Sequence, residues 1–220
     1  MLIARDMKRK PSGGDIRNKE RSKKKFLDAV GTILETTGYT GLKINNIATV
    51  AGVDKKMIYN YFGSVDGLID EYVRSLDFWS NVKGDALAMN DGGCEFVKQS
   101  LTHQYDYVSD HKNLQQVLLW GLAEQRESLT AIADERERNG ELLLTHITDP
   151  HFKQDSSQFR AVAAILISGI YYLNMYKGVN AKTFCGIDLT TEGGTQEIKN
   201  ALVKMIDLVY KDHNQPTSAE

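Results

Sequence analysis

The 220-residue chain is predicted to be all-α, with a small N-terminal helical module followed by a larger helical body. Three observations carry that reading. The only prolines are Pro11, Pro150 and Pro216, so the 138 residues between the first two contain none of the residue that most strongly breaks helices. Apolar side chains recur at i, i+3, i+4 and i+7 through much of that span. No stretch shows the sustained apolar/polar alternation of strands. A composition of 41% hydrophobic and 25% charged residues is that of a globular chain, long enough to bury a core without staples.

Composition also excludes several classes. The two cysteines, Cys94 and Cys185, are far apart and lack ligand-like spacing, so neither a disulfide framework nor a cysteine-based zinc site is expected. Cys185, near Phe184 and Ile187, reads as a small buried hydrophobe. The N-terminal MLIARDMKRKPSGG has no apolar run of secretory length, and Met1 and Met7 both read as start positions. The longest uncharged run, Ala161 to Tyr176, is sixteen residues, short of the about 20 that a bilayer requires. It reads as a helix buried against protein, and a cytoplasmic chain with no membrane partner is expected.

The net charge of −2 conceals a division. Residues 1–65 carry thirteen Lys/Arg against six Asp/Glu, a net of +7, and the remainder carries fourteen against twenty-three, a net of −9. Such asymmetry joins a basic module to a body with another task. A basic surplus of this kind is either a nucleic-acid footprint or a solvated tail, and ten of the thirteen cations precede Phe26.

Element by element, residues 1–16 with Pro11-Ser12-Gly13-Gly14 read as a flexible basic arm. A helix from about Arg17 turns Phe26, Ala29, Val30, Ile33 and Leu34 inward and stops at Gly38. A short second helix presents Ile44, Ile47, Ala48 and Ala51. Gly52 permits the left-handed turn after it, and the Asp54 carboxylate caps a two-turn third helix over about Lys55 to Phe62. Ile58, Phe62 and Val53 face inward there, leaving Lys55, Lys56, Tyr59, Asn60 and Tyr61 outside. Ser64 caps a fourth helix with Asp66 in its first turn and Leu68, Ile69, Tyr72, Val73 and Leu76 inside. Two short helices joined by a tight glycine turn, the second carrying cations, an amide and phenols, match the requirements of major-groove reading.

The order of these pieces is more specific than any one residue. From Lys25 to Ile69, the runs F-L-D-A-V-G-T-I-L, G-Y, I-N-N-I-A, A-G-V, I-Y-N-Y-F and S-V-D-G-L-I resemble the N-terminal domain of TetR-family transcriptional regulators. That resemblance implies a helix-turn-helix domain over 17–77 and a helical ligand-binding and dimerisation domain over 78–220. It implies that Lys55, Lys56, Tyr59, Asn60 and Tyr61 face DNA. Two positions depart from the family pattern. Lys43 stands where threonine commonly caps the second helix and touches phosphate, so the cap is lost while the lysine ammonium is still expected to reach phosphate as a DNA-binding residue. Val65 stands where many members have a lysine directed at the DNA backbone, and Lys56, at a commonly small position, is expected to compensate electrostatically.

In the body, helices are expected near 92–110, 112–124, 126–148, 156–177 and 195–212. Ala161 to Leu173 is apolar nearly all round and needs cover on more than one side, while the last helix carries an apolar stripe. A dimeric four-helix interface is the expected cover, through Ile165, Gly169, Ile170, Leu173, Ile198, Leu202, Met205 and Val209. The resemblance supports the same homodimer. One two-turn reading helix contacts too few bases, so a dimer on a palindromic operator in double-stranded DNA is expected. A regulatory body needs a ligand that distinguishes its states. Candidate walls and polar contacts for a small hydrophobic or amphipathic effector are Trp79, His103, Tyr105, Trp120, Tyr171, Tyr172 and Asn174.

No enzyme, cofactor or metal is expected. His146 to His151 gathers two histidines and Asp149 but spans Pro150 and reads as an interhelical loop. The chain has no glycine-rich phosphate loop, G-x-S-x-G elbow or H-E-x-x-H helix. The competing readings are a DNA-binding regulator without a ligand, a helical small-molecule-binding protein and an enzyme.

Overall fold

The computed structural model describes residues 13–76 and 91–214, with side chains described from residue 17 onward. The backbone separates into two units, Met1–Leu76 and Asp77–Glu220.

In the first unit, α1 (Gly13–Thr37) begins four residues before the expected start, which takes residues 13–16 out of the expected arm. Once a helix is nucleated, each further residue adds a hydrogen bond, and glycines weaken that propagation without forbidding it. The rest of the arm lies outside the described residues. The expected stripe of α1 is fully inside, with Phe26, Ala29, Val30, Ile33 and Leu34 all buried. Gly38, at φ 77°, turns the chain out of the helix into a 3-10 turn over Tyr39–Gly41. Then follow α2 (Ile44–Ala51), α3 (Lys56–Phe62) and α4 (Val65–Ser75). Helix α1 packs on α2 and α4, and α3 packs on α4. Buried Ile47, Ile58, Leu68, Ile69, Tyr72 and Val73 complete this core. Gly67 is required at the α3–α4 crossing, because a Cβ there would stand 2.2 Å from the Phe62 carbonyl oxygen.

In the second unit, α5 (Cys94–Asp110) lies between α9 (Ser156–Val179) and α10 (Glu192–His213), and α6 (Lys112–Ala123) packs on α9 and α5. Leu101, Tyr105 and Val108 of α5 meet a core that includes Leu114 and Val117 of α6, Leu166 and Ile170 of α9, and Leu202 and Ile206 of α10. Each helix shows one buried stripe, as the apolar spacing requires.

The segment expected as one helix over 126–148 is α7 (Glu127–Leu143) followed by a π-helical turn, Leu144–Thr148. The expected loop at 146–151 is helical as well. The π turn runs into α8 (Asp149–Phe152), where Pro150 falls in the first turn, the one place where a missing N–H costs no intrahelical bond. Arg160 braces this bend from α9, donating from Nε to Asp149 Oδ1 at 3.1 Å and from Nη2 to Glu141 Oε1 at 3.1 Å.

A two-residue hairpin separates α9 from α10: β1 (Thr183–Phe184) pairs antiparallel with β2 (Ile187–Asp188). Cys185 and Gly186 both have positive φ, 50° and 82°, the pattern of a type I′ turn that fits strand twist. The all-α expectation overlooked it because two residues cannot show alternation. Cys185 is exposed rather than buried, since it occupies the turn's apex.

Helix α9 buries Phe159, Ala163, Leu166, Ile170, Tyr171, Asn174 and Met175 on one side and exposes Ile165 (69%), Tyr172 (50%) and Val179 on the other. Helix α10 similarly exposes Met205 and Leu208 opposite Leu202, Ile206 and Tyr210. By length and composition alone, the helical stretch Glu127–Val179 contains one window apolar enough to cross a membrane. That stretch is not one straight helix, being broken by the π turn and α8, and the buried side of α9 is covered by α5 and α6.

Candidate nucleic-acid interface

The reading head is built by two caps and one anchor. Gly52 ends α2 in the left-handed conformation at φ 60°, with the Val53 N–H donating to the Ala48 carbonyl at 3.3 Å. Asp54 then accepts the Lys56 backbone N–H on Oδ1 at 2.8 Å, satisfying a donor that helix geometry leaves free. Ile58 is wholly buried and fixes the rotation of α3. Ser64 Oγ accepts the Gly67 N–H at 2.8 Å and starts α4.

With Ile58 inside, Lys55, Lys56, Tyr59 and Asn60 are exposed, Tyr59 at 55%. Tyr61 is half-buried and leans toward α1, with the Lys19 ammonium 5.8 Å from its ring centroid. Phe62 packs edge-on to Phe26 with centroids 6.1 Å apart, and the Lys23 ammonium lies 5.1 Å from the Phe62 centroid while pairing with Glu71 at 3.3 Å. Lys43 is exposed at the start of α2 and makes no capping hydrogen bond, as its replacement of a hydroxyl residue implied.

Asn45 on α2 was not among the expected site residues. Its Oδ1 accepts from Lys55 Nζ at 3.2 Å, linking the two helices on the outer side. Thr49 and Val50 continue that exposed side. The signal was present in sequence as Asn45 and Thr49, two polar residues four apart opposite buried Ile47 and Ala51. Between Thr36 and Val65 the only carboxylate is Asp54, and its hydrogen bond is spent on the cap. The exposed surface of α2 and α3 therefore offers cations, amides and phenols with almost no opposing charge, the donor set that duplex phosphates and base edges accept.

The candidate effector residues divide three ways. Tyr105 is buried on α5, and Tyr171 and Asn174 are buried on α9, each of the latter two reaching α5 at a different residue. Asn174 Nδ2 donates to the Tyr105 carbonyl at 3.3 Å and the Tyr171 hydroxyl accepts from Gln104 Nε2 at 2.6 Å. Burial pushes the Tyr171 phenol up to about 12, so it stays protonated. Asn174 Oδ1 is buried without a partner. Trp120 is buried separately on α6, donating from Nε1 to Glu124 Oε2 at 2.8 Å. His103 and Tyr172 are exposed, and Trp79 lies outside the described residues. A depression of about 510 Å³ opens beside Glu137, Arg138, Glu141 and Leu142 on the exposed side of α7.

Of the expected interface residues, Ile165 and Met205 are exposed, and a side chain at Gly169 would enter open space. Leu173, Ile198 and Val209 are half-buried. Ile170 and Leu202 point instead into the protomer's own core, because the stripe that fills the body interior passes through them. Among the described residues, no group of three or more His, Cys, Asp or Glu side chains is arranged to hold a metal.

Residues 26–72 match the family model for bacterial regulatory proteins of the tetR family. Comparison with curated protein sequences gives no match. Among solved structures, a Rhodococcus sp. protein described as a TetR-family transcriptional regulator superposes with a TM-score of 0.54 at 19% identity, covering 87% of this chain and 99% of that one. A Clostridium perfringens protein described as a fatty acid metabolism regulator gives 0.57 at 17% identity, covering 88% and 100%. These two likenesses are of fold.

Proposed function

We propose, on the match of residues 26–72 to the family model for bacterial regulatory proteins of the tetR family, that this chain represses transcription by binding a palindromic operator as a homodimer and is released by a small hydrophobic or amphipathic ligand. The observation that carries the proposal is the outer face of α3. Lys55, Lys56, Tyr59 and Asn60 are exposed on a two-turn helix whose rotation is set by buried Ile58. Lysine donates to guanine O6 and N7 or to phosphate, and asparagine pairs with adenine in two places.

The homodimer reading is supported by the apolar side chains that α9 and α10 leave exposed, Ile165, Tyr172, Met205 and Leu208, on two helices of the same body. Water contact at four large apolar groups is unfavourable, and a second copy removes it by an isologous four-helix contact. Two-fold symmetry then sets two reading helices about one DNA turn apart, roughly 34–36 Å. The ligand reading is supported by the buried, unpartnered Asn174 Oδ1 on α9, since a buried acceptor without a donor is costly and a ligand donor relieves it.

Selection of binding sites from random duplex DNA tests the central claim. Enrichment of a palindrome is expected, and recovery of no common sequence at low and moderate salt would overturn it.

A further inference from the structure

Helix α1 runs for more than two turns ahead of Phe26, where the family match begins. Residues 17–25 of that extension hold Arg17, Lys19, Arg21, Lys23, Lys24 and Lys25 against Glu20 alone, a net of +5 on nine residues. Like charges four apart on a helix repel, so such a sequence weakens the isolated helix. Two of the cations are neutralised within the unit, Lys23 by Glu71 at 3.3 Å and Lys24 by Asp28 at 2.9 Å. Arg17, Lys19, Arg21 and Lys25 are exposed and have no carboxylate partner among the described residues.

The extension is also joined to the reading head. The Lys19 ammonium lies 5.8 Å from the Tyr61 ring centroid, and one turn later Lys23 lies 5.1 Å from that of Phe62. Both rings belong to α3. A cation over an aromatic face holds the ring and is held by it. Being helical, the extension keeps its cations at fixed positions beside α3, whereas a flexible arm would have to be ordered on binding.

We propose that the α1 extension, through Arg17, Lys19, Arg21 and Lys25, is a second DNA-contacting surface that engages duplex phosphates beside the bases under α3, with Lys19 joining it to Tyr61. The proposal rests on the DNA-binding reading of α3 and adds a site outside the family-matched segment. Its partner is the DNA backbone, so its contribution is independent of sequence and sensitive to salt. Each phosphate neutralised releases counterions and adds about 0.9 to the slope of log affinity against log salt.

The test uses the full chain and a fluorescent duplex of about 30 base pairs of arbitrary sequence, titrated by anisotropy between about 50 and 200 mM salt. The variant R17Q/K19Q/R21Q/K25Q is expected to lower the slope by roughly 3 to 4 for each bound protomer, about 7 for a homodimer. The charge-preserving variant R17K/K19R/R21K/K25R is expected to keep it, which separates lost charge from lost structure. An unchanged slope in the glutamine variant would overturn the proposal. Failure of the operator reading has a different signature, the absence of any preference for one duplex over another, and leaves this slope measurable.

Discussion

The Asp54 carboxylate accepts the backbone N–H of Lys56 at 2.8 Å, so the residue that ends the turn also starts the reading helix. Helix α3 spans only seven residues, too few to be stable alone, and its first turn depends on that cap and on Ile58 beneath it. Asp54→Ala is expected to cost about 1 kcal/mol of stability in the N-terminal unit. Urea unfolding of the full chain checks the cost, and DNA affinity should fall with it because the cations at 55 and 56 lose their fixed start.

Ile58 and Tyr59 are adjacent in sequence and opposite in environment, 0% against 55% exposed. Ile58→Ala should destabilise by about 2–5 kcal/mol through lost burial and a residual cavity. Tyr59→Ala should change stability by less than about 0.5 kcal/mol, as surface substitutions usually do. The same Tyr59 variant should weaken binding to the selected operator, measured by anisotropy. Equal losses of stability in both variants would contradict the facing of α3.

Lys56 is proposed to stand in for the backbone-directed lysine that Val65 replaces. Lys56→Ala should lower operator affinity and reduce the salt slope by about 1 for each protomer, about 2 for the homodimer. No change in either quantity would remove Lys56 from the phosphate contacts.

Ile165→Glu combined with Met205→Glu places carboxylates on the exposed side of α9 and α10. The double variant should sediment at half the parental mass while retaining its helical circular dichroism, because neither residue fills the protomer core. Leu202→Ala, on the buried side of α10, should instead cost about 2–5 kcal/mol of folding stability.

His151 stacks on Tyr210 with centroids 5.0 Å apart, lies 5.1 Å from His213, and has its Nε2 buried without a partner. Burial, and then the nearby His213, hold its folded pKa below the ordinary histidine value. Below about pH 6.5 the unfolded chain therefore takes up a proton that the folded chain resists. The stability due to neutral His151 is present above that pH and is lost as pH falls through the lowered folded value. The urea midpoint should drop more between pH 8 and pH 5 in the parent than in His151→Phe. Parallel curves would assign the acid sensitivity elsewhere.

Much of the N-terminal unit is legible in its residues alone. The spacing of Phe26 to Leu34, the glycine at 52 and the caps at Asp54 and Ser64 are local signals, and each acts within one or two turns of itself. The exposed side of α3 follows from the same periodicity once Ile58 is taken inward. Legibility ends where contacts join distant residues. Asn45 meets Lys55 and Lys19 meets Tyr61 only because α1, α2 and α3 pack together. The hairpin at 183–188 escapes a sequence reading for a simpler reason, since a two-residue strand has no period.

By itself the sequence determined an all-α chain, a basic helix-turn-helix module ahead of an acidic body, and the exposure of Lys55, Lys56, Tyr59 and Asn60 on the short third helix, though not the half-burial of Tyr61. Those properties follow from periodicity, capping chemistry and charge count, which act over a few residues or are simple sums. Only the tertiary structure decided which sides of α9 and α10 remain exposed, because α9 is apolar nearly all round and α10 carries Met205 and Leu208 beside its buried stripe. Packing of α9 against α5 and α6 selected Ile170 for the interior, packing of α10 against α5 selected Leu202, and Ile165 and Met205 were left outside.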